Sequence, residues 1–190
     1  MIAESEYWKD DLLRYADYLE QRRSARRWTE RTTARVEKAI MVGCFVIRRL
    51  HESRGRLSDS TVRRRVHAIQ YPRTGGHIPT LLNWSKLDRH FALHSPRPKT
   101  LAVIDLCNQF IHSYVFMPVL NSRGGLHALL VASDSARTKA LYEVSIEAIV
   151  RIFRRAGNDY PDTVHSTFDQ TLGDYVVHAG TSFKRDQKVN

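Results

Sequence analysis

Over residues 4–27 the apolar side chains Trp8, Leu12, Tyr15, Ala16 and Leu19 recur every three or four positions. That spacing makes one face of a helix, and no Pro or Gly interrupts it. Its expected last turn carries Arg22, Arg23, Arg26 and Arg27, cations at the negative end of the helix dipole. A second stripe, Val36, Ile40, Gly43, Cys44, Ile47 and Leu50, predicts a helix over 33–54, opened by Thr32 or Thr33 and stopped at Gly55. Residues 28–31 form a short link, so the two helices are expected to make an antiparallel hairpin. Gly43 on the apolar stripe leaves room for a neighbouring backbone.

The period then changes. Partial alternation over 61–71, with Val62, Arg64 and Val66 on one side, predicts a strand, and the Pro/Gly-rich 72–80 a loop. A short helix is expected over 85–94, with Leu87 and Phe91 inward, and another over 100–112. Segments 113–120, 126–132 and 138–145 alternate as strands joined by NSRGG and SDSAR, which predicts an antiparallel meander. Residues 146–156 turn helical and stop at Gly157. The expected fold is therefore α+β over 1–157: an N-terminal antiparallel helix hairpin packed with a small antiparallel β-meander and additional helices, 61–157 forming the mixed sheet and helix part. Residues 158–190, rich in Asp, Thr and Gly, read as a C-terminal extension whose final eight residues are expected to be disordered.

Composition narrows the classes. With 190 residues and 42% hydrophobic side chains, the chain can bury a core, which excludes wholesale disorder. The longest apolar run, 39–47, is too short to span a bilayer, and the first residues are acidic where a signal peptide needs basic ones. A cytoplasmic protein without a membrane partner is the expectation. Cys44 and Cys107 cannot build a disulfide framework, and their apolar neighbours predict buried thiols.

The net charge of +10 is uneven. Residues 22–65 hold 14 Lys or Arg against four acids, an excess equal to that of the whole chain. Thirteen of the 14 are arginines, whose planar fork of donors suits phosphate. Arg22, Arg23, Arg26, Arg27, Arg31, Arg35, Arg48, Arg49, Arg63, Arg64 and Arg65 are thus candidate contacts to a nucleic-acid backbone, RNA or DNA. An acidic protein partner would answer the same charge, with the basic hairpin docking the chain into a larger assembly. Exposed edges of the meander also offer a route to a homodimer.

One constellation points to catalysis. On a helix over 100–112, Asp105, Asn108 and His112 share a face at i, i+3 and i+7. Asp105 and Asn108 could orient the His112 imidazole for proton transfer, giving a small nuclease-like enzyme as the alternative reading. Asp88, His90 and His94 could meet on a short helix, where histidines at i and i+4 can share a zinc ion, but no CxxC or HExxH motif or further ligand at characteristic spacing accompanies them, so no metal is assigned. No phosphate-loop or dinucleotide motif occurs, and no cofactor is expected.

Overall fold

The computed structural model describes residues 2–181; the disorder expected of the final eight residues lies outside them. Helix α1 spans Glu6–Arg22 and buries Leu12, Ala16 and Leu19. It stops a turn short of the expected end, because the positions that would continue its stripe after Leu19 are Arg23 and Arg26, which have nothing to bury. Only Arg22 therefore occupies the last turn. Helix α2, Glu30–Glu52, opens three residues earlier than expected: Thr29 is its cap, and its side chain accepts from the Thr32 N–H. Thr33 instead holds the link, accepting from the Trp28 indole at 2.8 Å. The chain leaves α2 through Arg54 and Gly55, both with positive φ.

The start of the expected first strand is a helical turn, α3 (Asp59–Val62), because Ser58 caps the Thr61 N–H. The strand β1 runs Arg65–Pro72, so Arg64 belongs to the connection. Of the helix expected over 85–94 a single turn forms, α4 (Leu87–His90). Beyond it the backbone is captured by the end of β1: Arg73 bridges Phe91, and Ala92 donates to the Pro72 carbonyl. Residues 97–99, read as a connector, and Thr100–Ala102, read as helix, form strand β2 (Arg97–Ala102), paired antiparallel with β1 over Arg65–Gln70. Pro98 is tolerated because β2 lies at the sheet edge, where one side of the backbone needs no partner. Helix α5 accordingly begins at Val103 and ends at Ile111, with His112 as its cap.

The meander forms as expected: β3 (Ser113–Leu120), β4 (Leu126–Ser133) and β5 (Ala140–Ser145), followed by α6 (Ile146–Gly157), capped by Ser145. The five strands order as β2-β1-β5-β4-β3, each neighbour antiparallel. The fold is α+β. One buried cluster joins α1, α2, α5 and α6 to Val66, Leu101, Leu129, Val131 and Val144 of the sheet. On the other face, Leu87 and Phe91 pack with Val115, Ala132 and Leu141.

The helices pair more widely than the hairpin expectation. α1 packs chiefly on α6, and α2 on α5, with the α1–α2 interface smaller. Gly43 admits a ring rather than a backbone: a methyl group there would lie 2.3 Å from Phe153 of α6. Cys44 and Cys107 are free and buried where α2 meets α5, and burial, with the neighbouring Cys107 thiol, pushes the Cys44 thiol well up. Most of what was read as a bare extension is a hairpin, β6 (Thr163–Asp169) and β7 (Asp174–Gly180). No helix among the described residues is long and apolar enough to cross a membrane.

Candidate functional site

The arginines of 22–65 divide by what already satisfies them. Arg23 pairs with Glu20 at 2.6 Å, Arg48 and Arg49 share Glu52 at 2.8 and 2.7 Å, and Arg63 pairs with Asp59 at 3.2 Å. Arg22 is half-buried over the Tyr18 ring. These side chains serve the fold first. Arg26, Arg27, Arg31 and Arg35, around the α1–α2 link, are exposed and make no ion pair among the described residues; the same holds for Arg64 and Arg65. The exposed arginines of the segment without an ion pair thus fall at two places, the α1–α2 link and the start of β1.

Packing places the second cluster in a groove. β1 pairs with β5 only over Ile69–Pro72, so its Arg65–Ala68 half has no strand neighbour on that side. Into this gap faces α6, and the groove of about 530 Å³ between them is lined by Arg64, Arg65, Val66, His67, Ala148, Arg151, Ile152 and Arg155. Four guanidinium groups line it without a carboxylate. Glu147 reaches Arg151 at 3.4 Å, along the exposed side of α6.

A buried polar clamp sets this geometry. The Asp159 carboxylate, 7% exposed, accepts from the Ser58 N–H at 2.8 Å and from its hydroxyl at 2.9 Å. Lys9, 1% exposed, donates to the Asp159 carbonyl and sits 3.9 Å from the centre of the Tyr160 ring. Burial lowers the Lys9 pKa against the opposing pull of Asp159. Arg155 then donates to the hydroxyls of Thr61 and Ser60, each at 3.1 Å. These partners are neutral, so they fix the guanidinium while leaving its charge uncompensated. The start of α3 is thereby tied to the end of α6, which brings Arg64 and Arg65 beside Arg151 and Arg155.

Asp105, Asn108 and His112 do line one cleft, of about 710 Å³, together with Arg65, Lys99, Gln109, Ser133, Asp134 and Tyr142 among others. The partners of His112 differ from those expected. Asp105 makes no hydrogen bond with it among the described residues, being two turns away, roughly 10 Å along the helix axis. The Arg48 guanidinium from α2 comes instead, with Nη1 3.1 Å from Asn108 Oδ1 and 3.4 Å from His112 Nε2. A guanidinium only donates, so the tautomer of the neutral imidazole that suits this contact has its lone pair on Nε2 and its proton on Nδ1.

The sequence reading missed Arg151 and Arg155 because Lys and Arg balance Asp and Glu over residues 101–190, and Lys99 because 97–99 was read as a connector rather than as part of a strand. The signal was local: α6 is strongly amphipathic, and Arg151, Arg154 and Arg155 all lie on its exposed side. His90 is committed elsewhere, since Nδ1 and Nε2 face the carbonyls of His77 and Asn83 at 2.9 and 3.1 Å. Among the described residues no three His, Cys, Asp or Glu side chains gather where they could hold a metal ion. No protein-family model, curated protein or solved structure matches the chain.

Proposed function

We propose that this protein binds nucleic acid through its phosphate backbone, in the groove between the open half of β1 and α6. The observation that carries the reading is the gathering of Arg64, Arg65, Arg151 and Arg155 without a carboxylate in the lining. Like charges held together by a fold cost stability, and a polyanion that enters the groove offsets that cost. Arg26, Arg27, Arg31 and Arg35 supply a second patch for the same backbone. Contacts of this kind give affinity and a steep salt dependence, with little reading of base sequence. A cytoplasmic location belongs to the same reading.

The test is a salt titration of binding to labelled single-stranded RNA and duplex DNA, followed by fluorescence anisotropy. The logarithm of affinity should fall linearly with the logarithm of salt. Replacing Arg64, Arg65, Arg151 and Arg155 with Gln should reduce that slope by about 0.7–0.9 for each phosphate no longer neutralised. An unchanged slope in a folded quadruple variant removes the groove from the interface. No binding at low salt, with a fixed acidic protein co-purifying, favours the docking-subunit alternative instead.

A further inference from the structure

Arg65 lines both the arginine groove and the polar cleft beside α5, so a strand held by Arg64 and Arg151 lies one residue away from the cleft that holds His112. We propose that the cleft cleaves RNA by transesterification, with His112 as the base that takes the proton of a ribose 2′-hydroxyl. The proposal rests on the groove binding nucleic acid.

Three features support it. His112 caps α5 with its side chain exposed on the cleft, and the tautomer that suits the Arg48 contact has on Nε2 the lone pair a base needs. Arg65 and Lys99 line the same cleft as Asp105 and Asp134, and with Asp134 already paired to Arg137 the two cations are the groups that offer positive charge to a phosphodiester. Arg48 and Asn108 act as positioning residues. Glu52 holds the Arg48 Nε at 2.8 Å, and Arg48 in turn spans Asn108 and the imidazole. The Arg48–His112 contact is long, so an incoming hydroxyl displaces it at small cost while Asn108 and Glu52 keep the guanidinium in place.

The step draws its nucleophile from the substrate. As the proton passes from the 2′-oxygen to Nε2 of His112, the 2′-oxygen bonds to phosphorus and the bond from phosphorus to the 5′-oxygen breaks. The leaving 5′-oxygen takes a proton from water in the open cleft, and the His112 proton returns to solvent. The products are a 2′,3′-cyclic phosphate and a 5′-hydroxyl. Nothing is oxidised or reduced, and DNA, which lacks the 2′-hydroxyl, is bound but not cut.

The experiment incubates the full chain with labelled single-stranded RNA, the same RNA carrying 2′-O-methyl groups, and the matching DNA, with anisotropy measured in parallel. The expected result is RNA fragments ending in a cyclic phosphate by mass spectrometry, and intact DNA and methylated RNA. His112→Ala and His112→Gln should each lower the rate by about 100-fold or more, with unchanged affinity. RNA that is bound and stays intact overturns the cleavage proposal while leaving the binding reading in place. Cleavage at full rate in both His112 variants also overturns it. RNA that is neither bound nor cut overturns both.

Discussion

The Tyr71 hydroxyl donates to Glu143 Oε2 at 2.6 Å, across neighbouring strands β1 and β5. Burial, aided by that carboxylate, pushes the phenol up to about 12 from its usual 10. A raised tyrosine favours the protonated fold, so its contribution is complete below pH 10 and is lost as pH climbs toward 12. An ultraviolet absorbance titration should show a tyrosine ionising near pH 12, and Tyr71→Phe should delete that component. The same variant should lose about 1 kcal/mol of stability at neutral pH, the worth of one hydrogen bond. Residues of this kind show how far single positions were legible. The spacing of Asn108 and His112 placed both on one cleft, because helical period alone decides that. Arg48 was not legible as their partner, since it arrives from another helix through the packing of α2 on α5.

Elements follow the same divide. The meander and α6 were readable because strand-like segments, short turn-forming connections and the stop at Gly157 all agreed over short distances. β2 was hidden by Pro96 just before it and Pro98 within it, and its edge position is what makes Pro98 compatible with a strand. The β6–β7 hairpin was hidden by its polar composition, although Asp169 and Gly173 mark its turn: the Asp169 carboxylate accepts from the Thr171 and Leu172 N–H groups, and Gly173 has φ +62°. Such a hairpin has little to bury. Val164, Phe168, Leu172 and Tyr175 are half exposed or more, and the attachment runs through Asp59, which bonds His178 at 3.1 Å, and Arg54, which pairs with Asp174 at 2.9 Å. A two-stranded ribbon alone is marginal in water. Hydrogen exchange should therefore find the β6 and β7 amides opening locally while β4, in the sheet interior, exchanges by global unfolding. Asp59→Ala should accelerate the hairpin and leave β4 unchanged. Equal protection of the two sheets would show that the hairpin unfolds only with the core.

For the molecule as a whole, charge is the property that sequence counting located least well. The count singled out 22–65, yet much of that segment's charge is spent on Glu20, Glu52 and Asp59, whereas α6, outside it, completes the groove. Counting sums charges along a chain, while a groove sums them in space. The exposed ion pairs are each worth little, and the unpaired clusters repel one another within a net charge of +10. Added salt should consequently raise the thermal midpoint through screening. That rise should shrink when Arg64, Arg65, Arg151 and Arg155 become Gln. A midpoint that falls with salt would mean the ion pairs outweigh the repulsion.

The packing of α1 on α6 has a temporal side. The apolar face of α1 is made before its cover, and the helix that covers it begins at Ile146, more than 120 residues after Arg22. At roughly 5–20 residues per second, a ribosome leaves Leu12, Ala16 and Leu19 without their principal cover for about 6–25 s. During synthesis this stretch is open to a chaperone for that interval, and its burial waits on α6, nearly the last of the core to emerge.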